Sequence, residues 1–318
     1  MEILVTGGAG FIGSHFVEGL LAGRYPAFAE ARITVLDKLT YAGNRRNLSP
    51  HPRLNLAVGD ILDRPVVDGL MAAADLVVHL AAETHVDRSI AGSVEFSRTN
   101  VVGTHVLLES AARAGIRFVH VSTDEVYGSI AHGSWDEKQP LLPNSPYSAS
   151  KAGADLMARA YARTHGLDVV VTRCSNNYGP RQHPEKLIPR FVLNLLRGQT
   201  VPLYGDGLNV REWLHVEDHC RALALVAERG RGGQTYNIGG GFEISNRELT
   251  QMLLDAVGAD ADRVASVPDR PGHDARYSLD SSKITDELGF RPRIPFAQGL
   301  AATVAWYREH PDWFTADS

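Results

Sequence analysis

Tyr147-Ser-Ala-Ser-Lys151 spaces a phenol and an amine four residues apart, which on a helix puts both side chains on one face, one turn from each other. A phenol titrating near pH 10 is a poor base at neutral pH. Lowering its pKa by about three asks for roughly 4 kcal/mol, the scale that an adjacent ammonium and a bound cation could supply together. Upstream, Ser122-Thr123-Asp124-Glu125 ends an apolar run with two hydroxyls and two adjacent carboxylates. Paired carboxylates can divide acid and base work when their surroundings differ. Each feature has a plain alternative: Tyr-x-x-x-Lys arises as an ordinary surface pair, and Asp124-Glu125 would serve as a solvated corner at a strand end.

A third feature says what these groups would act with. Val5-Thr-Gly-Gly-Ala-Gly-Phe-Ile-Gly places Gly7, Gly10 and Gly13 between a β-branched run and a helical pattern. Glycine there permits a tight turn, close approach of the backbone to a pyrophosphate and close helix-on-strand packing, while the helix N-terminus offers amide donors. The next apolar run ends in Asp37, placed to accept hydrogen bonds from an adenosine ribose. A carboxylate there repels a 2′-phosphate, so NAD is expected over NADP, with Lys38 the opposing charge. Gly59-Asp60-Ile61 and Leu80-Ala81-Ala82 close later runs where the adenine and nicotinamide halves would lie, although Asp60 could equally cap a helix.

These groups need strands and helices to hold them. Short β-branched runs at 3–6, 33–37, 54–58, 76–80, 118–122 and 169–173 read as buried parallel strands, separated by helical patterns such as 11–22 and 94–114, the latter stopped by Gly115. Alternation of this kind predicts an α/β fold: a Rossmann-type doubly wound parallel sheet with a smaller C-terminal substrate-binding lobe. Past about residue 175, Pro180, Pro184, Pro189 and Pro202 loosen the pattern. The expected division is 1–174 for the NAD-binding domain and 175–318 for the other lobe, with 212–238 crossing back.

Composition narrows the class. In 318 residues, 44% hydrophobic and 22% charged, the net charge of −5 shows no basic excess for a phosphate backbone, so nucleic acid is not an expected partner. No leader pattern opens the sequence and no run of about eighteen apolar residues occurs, so a cytoplasmic protein without a membrane span is expected. Cys174 and Cys220 lack zinc or CxxC spacing and read as reduced thiols. His85, His183, His215 and His219 form no metal pattern, so no metal is expected.

Taken together, the glycine loop, Leu80-Ala-Ala-Glu-Thr-His-Val-Asp-Arg-Ser, Ser122-Thr-Asp-Glu-Val-Tyr-Gly128, Tyr147 with Lys151, and Asn176-Asn-Tyr-Gly-Pro resemble the extended short-chain dehydrogenases that act on nucleotide sugars. The Asp124-Glu125 pair is similar to the 4,6-dehydratases of dTDP-glucose among them; Thr84 stands where many relatives have serine. The resemblance covers essentially the whole chain. It implies Tyr147, Lys151 and Thr123 for C4 oxidation, Asp124 as acid and Glu125 as base for loss of water, and NAD restored at the end, a lyase outcome. It adds Phe11, Ile12, Lys38, Leu39, Thr40, Thr84, Thr99 and Asn177 to the cofactor contacts. For the nucleotide sugar it implies Thr84, Thr123, Asn176, Glu185, Lys186, Leu187, Pro202, Tyr204, Arg211, Asn246, Arg270, His273 and Asp274. Arg211 and Arg270 can grip phosphates bidentately, and Tyr204 offers a ring for a base. Helices at 94–114 and 151–161 resemble the family's four-helix dimer contact, so a homodimer is expected. A UDP-sugar 4-epimerase, or a dehydratase of another nucleotide sugar, is the nearest alternative; a non-catalytic NAD-sensing scaffold is a further one, opposed by the presence of Tyr147 and Lys151.

Overall fold

The structure, a computed structural model, describes residues 1–314. In chain order its strands are β1 (Glu2–Thr6), β2 (Arg32–Asp37), β3 (Leu54–Val58), β4 (Leu76–His79), β5 (Arg117–Thr123), β6 (Val169–Cys174), β7 (Asn176–Tyr178), β8 (Val201–Tyr204), β9 (Val210–His215), β10 (Thr235–Ile238), β11 (Phe242–Ser245) and β12 (Val264–Val267). Seven of them form one sheet in the order β10-β6-β5-β4-β1-β2-β3, and every pairing in it is parallel. The six runs expected from β-branching all lie in this sheet, within a residue or so of the expected ends. Their continuous apolar character follows from burial on both faces.

Period-two alternation assigns the faces. Ile3 and Val5 pack with Val35, Phe16, Leu20, Leu223 and Val226, so the helices Phe11–Leu21 and Val216–Arg229 cover one side. Leu4 points the other way and packs with Val77, Leu107, Phe118, Ala158 and Tyr161, under the helices Thr104–Ala114 and Pro146–His165. Because β1 lies between β2 and β4, the chain leaves the sheet in opposite directions at its C-terminal edge, opening a crevice there.

The helix expected at 94–114 is interrupted. A π-helical stretch, Ser97–Gly103, separates Val94–Phe96 from Thr104–Ala114. One extra residue per turn hardly alters an apolar pattern, so periodicity could not reveal it. It delivers Asn100, whose side chain accepts from Glu83 N at 2.8 Å and donates to Glu83 O at 3.0 Å and Ser150 Oγ at 2.8 Å, tying the 80–85 loop to the Tyr147 helix. Gly115 ends the helix at φ 68°, as expected of a C′ glycine.

After β6 the chain builds a second layer: β11-β9-β7, the parallel pair β12-β8, and the helices Leu187–Leu196, Asn246–Val257 and Phe296–Glu309 around Phe191, Trp213, Leu253, Leu300 and Tyr307. Residues 212–215 lie in β9 of this layer, and the chain then crosses back through Val216–Arg229 to β10, which pairs with β6. Among the described residues, no helix is long and apolar enough to cross a membrane, and no cluster of three His, Cys, Asp or Glu side chains could hold a metal ion. Cys174 and Cys220 are free and buried.

Candidate active site

The glycine loop turns at Gly7 (φ 71°), where a Cβ would stand 2.6 Å from Ala81 N, and it packs so tightly on the helix start that a Cβ at Gly13 would meet Gly7 O at 2.2 Å. Only glycine fits either position. Asp37, at the tip of β2, accepts from Ala9 N at 2.9 Å and Leu39 N at 2.8 Å. Leu39 therefore serves through its amide, at φ 54°, and not as wall of the cleft. Lys38 pairs with Asp60 at 2.8 Å, which neutralises the charge that would have favoured a 2′-phosphate. Asp60 is not a helix cap: it accepts from Leu62 N, and Asp63 caps Arg64–Met71. Gly7, Gly10, Phe11, Ile12, Gly13, Asp37, Lys38, Thr40, Asp60, Ile61, Leu80, Ala81, Ala82, Thr84, Thr99, Tyr147, Lys151 and Asn177 all line one continuous cleft.

The same cleft reaches the groups with chemistry. β5 ends at Thr123, whose hydroxyl accepts from Glu125 N at 3.3 Å and donates to Asp124 Oδ1 at 3.1 Å, so it caps the single turn Asp124–Tyr127 and aims both carboxylates. Ser145 opens the next helix with a capping box to Ser148, and Pro146 takes the first turn; this sets Tyr147 and Lys151 in the helix's opening turns. Tyr147 is held by Ser89 Oγ on its backbone N, at 3.1 Å, and by Phe96 against its ring.

Electrostatics separate the two carboxylates. Burial, reinforced by Glu125 and Glu212, pushes Asp124 well above the ordinary carboxylate range. Burial also raises Glu125, but Lys186, Arg270 and Arg211 pull it back toward the charged form. Two neighbours thus suit opposite duties, Asp124 as a neutral acid and Glu125 as a base. The expectation for Tyr147 was an ammonium and a bound cation acting together, of which the protein supplies the first. Lys151 Nζ donates to Val121 O at 2.7 Å, and burial with the nearby Glu125, Cys174 and Asp124 raises the phenol well above its usual value. Lys151 itself is lowered to about 8 by burial. The surrounding side chains therefore do not by themselves ionise the phenol.

A second cleft opens from the first at Glu125, Asn176, Asn177, Gln182 and Lys186. Glu185, Leu187, Pro202, Tyr204, Arg211, Asn246, Arg270 and His273 line it, with Lys186 Nζ donating to Thr84 O at 2.6 Å across the two layers. Thr84 and Thr123 lie on the first cleft. Asp274 stands behind the wall: its carboxylate accepts from Asn144 Nδ2 and Tyr277 Oη, each at 2.6 Å, and its carbonyl accepts from Arg211 Nη2 at 2.9 Å. Tyr277 also lies 4.3 Å beneath the Arg211 guanidinium. Gln182 and Tyr277 are wall residues that the sequence did not single out, and Glu83 stood only within a motif; they come from irregular segments with no periodicity, and only the folded chain brings them here. Buried polar atoms that face the clefts without a protein partner include Ser122 Oγ, Asp124 Oδ2, Ser175 Oγ, Asn176 Oδ1 and Asn246 Oδ1. Such atoms mark where a polar ligand completes the hydrogen bonding.

Comparison with known proteins agrees with this geometry. Residues 4–303 match the family described as GDP-mannose 4,6 dehydratase. The dTDP-glucose 4,6-dehydratase of Actinoplanes sp. is 61% identical, over 99% of this chain and 100% of that one. A solved dTDP-glucose 4,6-dehydratase from Streptomyces venezuelae, with NAD and dTDP bound, superposes with a TM-score of 0.98 at 63% identity, covering 99% of both chains. A UDP-glucose 4-epimerase from Thermotoga maritima reaches a TM-score of 0.90 at 32% identity, covering 97% of this chain and 99% of that one, so the fold alone does not separate the two reactions. Matched over residues 4–303 by the family model and over nearly its whole length by these relatives, this chain belongs to the GDP-mannose 4,6 dehydratase family of extended short-chain dehydrogenases.

Proposed function

We propose that this protein is a dTDP-glucose 4,6-dehydratase, converting dTDP-glucose to dTDP-4-keto-6-deoxyglucose and water. The observation that carries the reading is geometric: the Thr123-capped turn sets Asp124 and Glu125 on the same cleft as Tyr147 and Lys151. NAD fits the first cleft: the side-chain-free approach at Gly7 admits a pyrophosphate, and Asp37 stands at the ribose end. When bound, NAD supplies a hydride acceptor and a cationic ring. Tyr147 takes the C4 hydroxyl proton and Thr123 steadies that oxygen. Lys151, through Val121 O, anchors the floor of the site. The C4 ketone so formed acidifies C5; Glu125 removes the C5 proton and Asp124 protonates the departing C6 hydroxyl. The hydride taken from C4 ends on C6, so the net change is loss of water and the formal class is a lyase. Arg211, Arg270, Lys186 and Tyr204 supply charge and an aromatic face for the nucleoside diphosphate.

The test follows a label. Substrate deuterated at C4 should deliver that deuterium to C6 of the same molecule, with a solvent proton at C5. Return of the label to C4 with inversion would mean the epimerase reaction instead.

Residues 1–174 with the 216–238 return act as the cofactor lobe, and the remainder as the sugar-nucleotide lobe, in a cytoplasmic enzyme. Asp37 sets the cofactor choice. Titration of the NAD-free protein should show clear preference for NAD, narrowed in Asp37→Ala; equal binding of NAD and NADP by the parent would remove this role. The protein also acts as a homodimer. Val94, Val102 and Leu156 stand 78, 50 and 51% exposed on two neighbouring helical segments, an apolar face that a second copy would cover. Sedimentation at micromolar concentration should give a dimer, which Leu156→Glu shifts toward monomer; a monomeric parent would refute the assembly.

A further inference from the structure

The C-terminal end of the described chain touches the cofactor lobe at the loop after β2. Helix Phe296–Glu309 belongs to the second layer, packed with Phe191 and Leu253. Beyond it the turn at 311–314 returns to the loop that follows β2. Trp313 lies under Arg46, its ring centroid 4.7 Å from the guanidinium carbon. Its indole Nε1 donates to Asn47 Oδ1 at 3.0 Å. Arg46 Nη1 in turn donates to the carbonyl of Trp313 at 3.2 Å. Next to it, the Phe314 ring meets His183 at 5.7 Å, and His183 meets Tyr41 at 5.6 Å. His183 is part of the cofactor cleft wall.

Asn47 passes the contact onward. It is 4% exposed, and its Nδ2 donates to Ala9 O at 2.9 Å. Ala9 lies inside the glycine loop, where its own N–H holds Asp37. The Asn47 carbonyl also accepts from Arg181 Nη1 at 3.1 Å, a second contact from the other layer. Among the described residues Arg181 is one of two non-glycine residues with positive φ, at 67°, so that bend is kept against its own preference. One buried amide thus joins the aromatic end of the second layer to the glycine loop and to the carboxylate at the ribose end.

We propose that Trp313 is a positioning residue for cofactor retention: through Asn47 it clamps the glycine loop in the shape that grips NAD, so that the cofactor stays in place through the reaction cycle. The proposal rests on NAD lying in this cleft. Loosening the clasp releases NAD faster without touching the reacting groups, since Trp313 lines neither cleft.

Holoenzyme is diluted into NAD-free buffer with an NAD-consuming scavenger, and the NAD still bound is measured over time. Trp313→Phe keeps a ring over Arg46 but lacks the indole donor, and should release NAD roughly five- to tenfold faster, the worth of about one hydrogen bond. Trp313→Ala and Arg46→Met should also release faster. The substrate KM at saturating NAD should stay within about twofold. A parent that holds NAD while these variants release it at the parent's rate overturns the clasp alone. Variants that lose thermal stability in the NAD-stripped state without faster release mark the contact as structural, and also overturn it. A parent that binds no NAD overturns the cofactor reading and the clasp together.

Discussion

Replacing Glu125 with glutamine is expected to stop the reaction halfway. Oxidation at C4 uses Tyr147, Thr123 and the cofactor, none of which the substitution removes, and neutralising Glu125 takes away a charge that holds the Tyr147 phenol up, so reduced cofactor should form on mixing with dTDP-glucose. Removal of the C5 proton loses its base and should slow by about a hundredfold to ten-thousandfold, the usual worth of a positioned general base. The bound reduced nicotinamide should then persist and be seen by its absorbance, while the C6-deoxy product appears slowly. The glutamine is close in size, and it leaves Lys186, Arg270 and Arg211 facing a neutral group. Product formation at the parent's rate would remove Glu125 from the mechanism; loss of C4 oxidation as well would mean that its charge is needed in the first step too.

A second large effect is expected at a buried pair that lines neither cleft. Arg173 and Asp155 are both 0% exposed and form a bidentate pair, Nε to Oδ2 at 2.8 Å and Nη2 to Oδ1 at 2.9 Å. Arg173 Nη1 donates to Tyr127 Oη at 2.6 Å, and Tyr127 Oη donates to Asn237 Oδ1 at 2.8 Å. Asp155 stands one helical turn beyond Lys151, and Tyr127 closes the turn that carries Asp124 and Glu125. The network therefore joins the two halves of the catalytic apparatus. Arg173→Met strands a buried carboxylate and should cost about 3 to 5 kcal/mol in urea unfolding; Asp155→Leu with Arg173→Met removes both charges and should recover much of that. A single variant within about 1 kcal/mol of the parent would show that the pair contributes little. A double variant that regains stability but not activity would separate the alignment of the site from the strength of the fold.

What the sequence by itself determined is what depends on local pattern. β-Branched runs fix strands that are buried on both faces. The spacing of Gly7, Gly10 and Gly13 follows from backbone sterics, since a Cβ there meets Ala81 or Gly7 at once. Ser145 and Pro146 start a helix whose opening turns must carry Tyr147 and Lys151. These features hold wherever the segment packs, so they were legible before any contact was known.

The tertiary structure decided whatever depends on which groups share a low-dielectric space. Asp124 and Glu125 are adjacent and chemically alike, both raised by burial, and what differs is the neighbours the fold brings: Glu212 beside Asp124, Lys186 and Arg270 beside Glu125. Tyr147 was expected to gain its acidity from Lys151 and a bound cation together; only the folded chain shows that the ammonium bonds Val121 O and that carboxylates lie near the phenol. Lys38, an ambiguous charge in sequence, is answered by Asp60 once β2 and β3 are paired. Asp274 and Leu39 sit in the expected segments, and in the folded chain they contact Arg211 and Asp37 rather than line a cleft. Each of these outcomes depends on groups distant in sequence and close in space, and burial magnifies their mutual fields beyond anything that spacing along the chain encodes.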